Sequence, residues 1–316
     1  MKNARTPLQY LSVTLKGAAM GAADVVPGVS GGTIAFITGI YEELLNAIRA
    51  FGGSGLRRLL AFDLKGFWRE VNGPFLLALG AGIVLSVATL SRVVLYALEN
   101  FTELLWAFFV GLLVGAIAVV GRQIWVWNLG TVVSGVVGVA AAYAIVSIAP
   151  AETPETLPFI FFSGMIAICA MILPGISGSF LLVVMGKYEF ILGAVKSLQL
   201  DVLAAFAAGC GVGLLGFAHA LSWCFRRFHD ATVALVTGFL IGSMPKLWPW
   251  KHTLETYVDR HGVSKPLVQE NVSPFRYSEL TGADPQLLLA VVVAVLGLVA
   301  VVGLDRLGRP KTEISD

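Results

Sequence analysis

Two stretches of the chain, 147 residues apart, carry one pattern. Residues 23–48 read ADVVPGVSGGTIAFITGIYEELLNAI and residues 170–195 read AMILPGISGSFLLVVMGKYEFILGAV. Pro27-Gly28, Ser30-Gly31, Gly39 and Tyr41-Glu42 return as Pro174-Gly175, Ser177-Gly178, Gly186 and Tyr188-Glu189. Proline removes a backbone donor and pushes the residue before it, Val26 or Leu173, out of the helical region. The glycines then permit a sharp reversal. Each stretch is therefore a helix, a break and a second helix. Writing such a break twice inside apolar sequence limits the chain to folds that satisfy bare backbone away from water.

Lipid is the solvent that composition requires. Of 316 residues, 57% are hydrophobic and 13% charged, and mean hydropathy is +0.81. A soluble domain carries about 25% charged residues. A net charge of +2 without a basic tail gives nucleic acid nothing to hold. Cys169, Cys210 and Cys224 lie in apolar segments without ligand spacing, so no metal and no cofactor is expected. The N-terminus lacks the apolar run and small-residue site of a signal peptide, and reads as mature protein.

A spanning helix needs about 20 mostly apolar residues. Six stretches qualify: about 75–97, 104–121, 128–149, 202–225, 231–247 and 286–304. The two duplicated units, about 7–50 and 157–197, are either kinked spans or re-entrant hairpins, and loop charge chooses between them. The N-terminus has Lys2, Arg5 and Lys16, and the 49–72 connection has Arg49, Arg57, Arg58, Lys65 and Arg69. Both flanks then lie on the cytoplasmic side, which a hairpin allows. Onward, Glu99 and Glu103 fall outside, Arg122 inside, Glu152 and Glu155 outside, Arg226 and Arg227 inside, the 248–284 loop outside, and Arg306, Arg309 and Lys311 inside. The expected fold is an all-α polytopic membrane protein with both termini cytoplasmic. It is an inverted repeat, 1–150 and 151–316, each half a re-entrant hairpin plus three spans. Gly82 matches Gly209, and Gly111 to Gly115 resembles Gly238 to Gly242. Inverted repeats with broken helices hold their substrate near the midplane. The piece at 56–69 reads as an amphipathic surface helix or a solvated linker.

In this arrangement both second arms start at the tips, so positive dipole ends and N–H groups point to mid-bilayer. Gly28, Ser30, Gly31, Gly32 and Thr33, with Gly175, Ser177, Gly178 and Ser179, form an expected phosphate site. The rival reading is tight packing of two helix breaks around Pro27 and Pro174. Asp24, one turn before Pro27, either carries a coupling proton or caps the tip. Glu42 and Glu189 fall about 16 Å beyond the tips if the arms are continuous helices, near opposite interfaces where they would pair with a cation or face water. Tyr41 and Tyr188 read as interface-belt residues, and Lys187 as an anion attractor or a snorkelling side chain. Arg92 and His219, at equivalent places in the two halves, are candidate phosphate contacts; Arg92 is otherwise an interfacial anchor.

The run GAADVVPGVSGGTIAFITGIYEELL and its partner LPGISGSFLLVVMGKYE resemble the bacterial polyprenyl-phosphate transporter family, from Lys16 to about Leu304. The resemblance implies translocation of undecaprenyl phosphate from the outer to the cytoplasmic leaflet of the bacterial inner membrane. The lipid carrier is thereby recycled for cell-envelope synthesis. Asp24, Pro27, Gly28, Ser30, Gly31, Gly32, Tyr41 and Glu42 match the first copy of the family motif, and Pro174, Gly175, Ser177 and Gly178 the second. The chain has no nucleotide-binding loop, so transport is passive or driven by an ion such as the proton. Two other functions stay open: a polyprenyl pyrophosphate phosphatase, against which stands the lack of Arg, His or Lys beside the tips, and a transporter of a small soluble anion. Homo-oligomerisation is left open.

Overall fold

The computed structural model describes residues 5–24, 30–148, 150–151, 153–258 and 264–308. Pro27 and Gly28 lie outside the described residues, as do Lys2, Glu152, Arg309 and Lys311. Helix α1 (Pro7–Asp24) leads into the first break and is followed by α2 (Gly31–Ile37) and α3 (Tyr41–Gly52). Two short helices, α4 (Ser54–Leu60) and α5 (Leu64–Glu70), connect to α6 (Gly73–Asn100), α7 (Thr102–Gly121) and α8 (Leu129–Val146).

The order then recurs. Helix α9 (Leu157–Ile172) leads into the second break, followed by α10 (Gly178–Val184) and α11 (Tyr188–Lys196). Next come α12 (Leu200–Arg227), α13 (His229–Ser243) and a 3-10 turn at Met244–Leu247. An antiparallel pair of strands, β1 (Lys251–Val258) and β2 (Ser264–Asn271), precedes α14 (Pro274–Thr281) and α15 (Leu287–Gly308). Helices α6 and α12 are both 28 residues long, and α2 and α10 both seven. Packing repeats as well: α1 lies along α6 as α9 lies along α12, and α7 pairs with α15 as α13 pairs with α8.

Sequence explains these pairings. The closest helix contacts fall where glycine leaves backbone bare. A Cβ at Gly111 would overlap the carbonyl oxygen of Ala294 on α15, and one at Gly238 would overlap that of Gly135 on α8. Small residues let apolar helices approach until dispersion forces are short-ranged and strong. The outward faces are the reverse of a soluble protein's. Val84, Val136 and Leu288 are 69%, 61% and 82% exposed, a surface that only lipid tails would cover. Among the described residues, five helices are long and apolar enough to cross a membrane. At 1.5 Å per residue α6 and α12 reach about 42 Å, more than the ~30 Å hydrocarbon core. Inside, Phe36, Tyr41 and Phe225 pack tilted and edge-on, with ring centroids 4.9–6.1 Å apart, and lock α2 and α3 to α12.

Four sequence expectations change. The chain is not all-α, because the 248–284 loop folds back as the β1–β2 hairpin. The stretch 231–247 is not one long span. Helix α13 ends after 15 residues, about 22 Å, and Pro245 sits in a 3-10 turn beyond it. The 56–69 piece is two helices, broken where Phe62 takes φ +55° and Asp63 caps Gly66 N. The second arms, each read from the sequence as a single helix after the break, are broken again. Gly39 and Gly186 have φ of +71° and +64°, and α10 and α11 meet at 103°. A positive φ is cheap only for glycine, which explains why this residue recurs in both copies.

Candidate functional site

At the first tip the start of α2 is fully engaged by its own neighbourhood. Ser30 adopts an extended backbone, and its Oγ accepts from Gly32 N at 3.1 Å. Asp24, from the end of α1, accepts from Gly31 N at 2.7 Å. The N–H of Thr33 bonds to Ser30 O at 3.0 Å. A carboxylate on an orphan helix donor is the interaction a phosphate oxygen would make there. Asp24 thus already fills the anion position of the first tip.

The two tips touch. Gly175 N, with φ +91°, donates to Thr33 Oγ1 at 2.9 Å. Helix α9 ends beside α2, and its last carbonyls find donors in the opposite half. Ser30 Oγ reaches Met171 O and Leu173 O at 3.3 and 3.4 Å, and Tyr41 Oη donates to Ile172 O at 2.9 Å. The positive start of α2 therefore faces the negative end of α9, an arrangement that pairs opposite partial charges. The expectation that both helix starts turn their N–H groups on a single anion is corrected for α2. At the second tip Ser177 makes no capping bond to the backbone; its Oγ and that of Ser179 lie 2.7 Å apart. Gly178 is buried, and a Cβ there would press on Ala167 O. Pro174 is buried in the break itself.

A small crevice, a cavity of about 20 Å³, opens where the tips meet α7. Ser30, Thr33, Gly175 and Ser243 supply its polar wall, and Ile34, Ile37, Phe109, Leu112, Leu113 and Leu247 the apolar remainder. Hydroxyls at one side and hydrocarbon at the other suit an amphiphile with a small polar end. Thr33 Oγ1 is an acceptor from Gly175, and its own proton meets no acceptor among the described residues.

Other expected residues lie elsewhere. Arg92 is exposed on α6, and His219 is exposed on α12 with Nδ1 2.8 Å from Leu215 O, beside Gly52 of α3. Neither lines the crevice. Glu42 is exposed at the start of α3 and Glu189 half-buried at the start of α11. Both follow a bend, so a straight 16 Å run from the tips does not describe them. Tyr41 is 3% exposed and is a core residue, not an interface-belt residue. Lys187 is 1% exposed. Its Nζ donates to Thr153 O between the rings of Phe159 and Phe190, so it neither snorkels nor meets the surface. In the first copy Lys16 Nζ holds Thr38 O at 2.8 Å, and each bend is thereby clamped by a lysine.

Two cations were missed by sequence reasoning. The Nζ of Lys246 lies 4.3 Å from the ring centroid of Phe180, in the first turn of α10, and Lys246 is followed by Leu247 of the crevice wall. The Nζ of Lys251 lies 4.9 Å over the Trp106 ring and donates to Lys246 O at 2.7 Å. Burial, then the charge of Lys246, pushes the Lys251 pKa down to about 8. The contact from Lys246 to Phe180 spans 66 residues of sequence, and no local spacing could have revealed it. Among the described residues no group of three His, Cys, Asp or Glu side chains could hold a metal ion.

Residues 20–265 match the model of a family described as VCA0040-like, undecaprenyl phosphate translocase-like. The chain is 47% identical over 299 residues to a Vibrio cholerae serotype O1 protein named polyprenyl-phosphate transporter, covering 95% of this chain and 97% of that one. A Staphylococcus aureus protein of the same name is 30% identical over 257 residues, covering 74% and 85%. No solved structure was found to match.

Proposed function

The chain belongs to the undecaprenyl phosphate translocase-like family and is a polytopic membrane protein, and on that premise we propose that it carries a polyprenyl phosphate from the outer to the cytoplasmic leaflet of the bacterial inner membrane. A phosphate headgroup cannot cross hydrocarbon without shelter, whereas its polyprenyl tail is at home there. The protein need only enclose the headgroup at mid-depth while the tail trails between helices. The observation that carries this reading is the crevice at the tip junction, with hydroxyls of Ser30, Thr33 and Ser243 on one side and apolar α2 and α7 on the other.

In this reading, residues 1–150 and 151–316 are inverted halves, each with a re-entrant hairpin, and both termini are cytoplasmic. The hydroxyls of Ser30 and Thr33 at the first tip and Gly175, Ser177, Gly178 and Ser179 at the second form the headgroup site, and Gly31 N joins them when Asp24 releases it. Asp24 is the coupling group. Its carboxylate holds the Gly31 N–H that an incoming phosphate would take. Protonation weakens that bond and frees the donor, so proton uptake and anion binding favour one another. A proton gradient then sets the direction of transport.

Purified protein in liposomes with leaflet-resolved polyprenyl phosphate tests the proposal, with and without a pH gradient. Wild-type protein moves the lipid faster with the gradient. Asp24→Asn keeps lipid binding and loses the gradient effect, and Ser30→Leu with Ser177→Leu loses binding. Equal coupling in Asp24→Asn would remove the proton assignment, and retained affinity in the double variant would leave the tips as packing alone. Release of inorganic phosphate from a polyprenyl pyrophosphate would move the protein to the phosphatase class.

A further inference from the structure

The proposed headgroup site has hydroxyls and helix starts but no full positive charge among its lining residues. Two lysines belong to segments that adjoin its wall. Lys246 closes the 3-10 turn between Ser243 and Leu247, both of the crevice wall, and reaches Phe180 at the second tip. Lys251 comes from the first residue of β1, bonds the carbonyl of Lys246 and lies against Trp106, one turn before the crevice residue Phe109 on α7. Both side chains are half-buried.

Neither lysine takes part in an ion pair among the described residues. Among the described residues, the Phe180 and Trp106 faces and, for Lys251, the Lys246 carbonyl are the groups shown against their charge. Glu103, the acid in the first turn of α7, accepts from Tyr277 Oη. Glu270 on β2 stands opposite His252, while Lys251 stands opposite Asn271. Lys251 feels the charge of Lys246, and two like charges without an ion-pair partner among the described residues are costly in a medium of low dielectric. Such a pair persists where the rigid surroundings hold it and an anion completes it.

We propose that Lys246 and Lys251 form a receiving site for a phosphomonoester at the rim of the crevice, which takes the lipid headgroup before it reaches the tips. The inference rests on the reading that a lipid phosphate enters this crevice. Two ammonium groups match a phosphomonoester, which carries about two negative charges at neutral pH, better than the single charge of a phosphodiester headgroup. As compact, rotatable point charges, lysines bind and release phosphate without a fixed bidentate geometry, which suits a site that must pass its ligand on.

The test measures binding of polyprenyl phosphate, inorganic phosphate and phosphatidylglycerol to full-length protein in nanodiscs of zwitterionic lipid. In Lys246→Gln/Lys251→Gln, affinity for polyprenyl phosphate falls about tenfold or more, while Lys246→Arg/Lys251→Arg stays within about threefold of wild type. Lys251→Gln alone, which keeps the Lys246–Phe180 contact, shows an intermediate loss should the double variant fold poorly. Competition by inorganic phosphate marks a site for the headgroup itself, and its failure to compete marks one that also reads the tail; either agrees with the proposal. Wild-type affinity in both Gln variants would overturn the lysine site and leave the transport reading standing. An equal loss for phosphatidylglycerol would overturn the phosphomonoester assignment. Absence of polyprenyl phosphate binding by wild-type protein would overturn both readings at once.

Discussion

Tyr41 shows how much one side chain carries in this molecule. Its ring packs between Phe36 and Phe225, and its hydroxyl closes the carbonyl of Ile172 in the other half. Removing that donor leaves a buried acceptor bare, which costs about 1–3 kcal/mol. Tyr41→Phe is therefore expected to lower the unfolding free energy in detergent by about that amount while leaving the ring packing intact, as read from a denaturation series. An unchanged midpoint would mean that the hydroxyl bond is dispensable. Nothing in the sequence separates this tyrosine from Tyr188, its counterpart, which is 39% exposed. Both follow a glycine by two residues in an apolar unit, and only the partner across the repeat decides which is core. Asp24 was legible as the one acid beside a tip, and its bond to Gly31 N is the capping contact that was one of the two roles considered for it.

At the scale of elements, the glycine bends are the least expected feature. Gly39 and Gly186 recur in the sequence, yet apolar residues continue on both sides, and hydropathy alone extends the helix through them. Only the need for a positive φ reveals the break. Gly39 has φ +71° with no atom near its missing Cβ, so the position isolates backbone strain from crowding. Gly39→Ala is expected to cost about 1–2 kcal/mol. Gly39→Asn costs less, because asparagine visits the left-handed region more readily. Thermal unfolding of the two variants checks the order, and equal stability with wild type would show that the bend can relax. The repeating order of helices was legible because the tip motifs and the glycines at 82, 111, 209 and 238 are written twice. The end of α13 at Ser243 was not, since a stretch of suitable length and hydropathy continues to 247 and hides the 3-10 turn at Pro245. The β1–β2 hairpin escaped for a different reason. Its sequence is polar and proline-bearing, and it reads as loop until pairing supplies the missing partner.

Across the whole molecule, the cations and the crevice came into view only through long-range contacts. Lys246 meets Phe180, and Thr33 meets Gly175, across separations that no motif search spans. The crossed closure of α9 has a consequence of its own. Because Ser30 and Tyr41 terminate a helix that belongs to the other half, neither half is complete as a separate polypeptide. Residues 151–316 made alone would leave the carbonyls of Ile172 and Leu173 without those donors in an oily surrounding, and cellular proteolysis should clear the fragment. Supplying residues 1–150 from a second gene in the same cell should restore its accumulation, as followed by immunoblot. Substituting Ser30 and Tyr41 together in the supplied fragment should reduce that rescue. Stable accumulation of either fragment by itself would show that the halves mature independently, and the duplication would then be two proteins in one chain instead of one built from mutual completion.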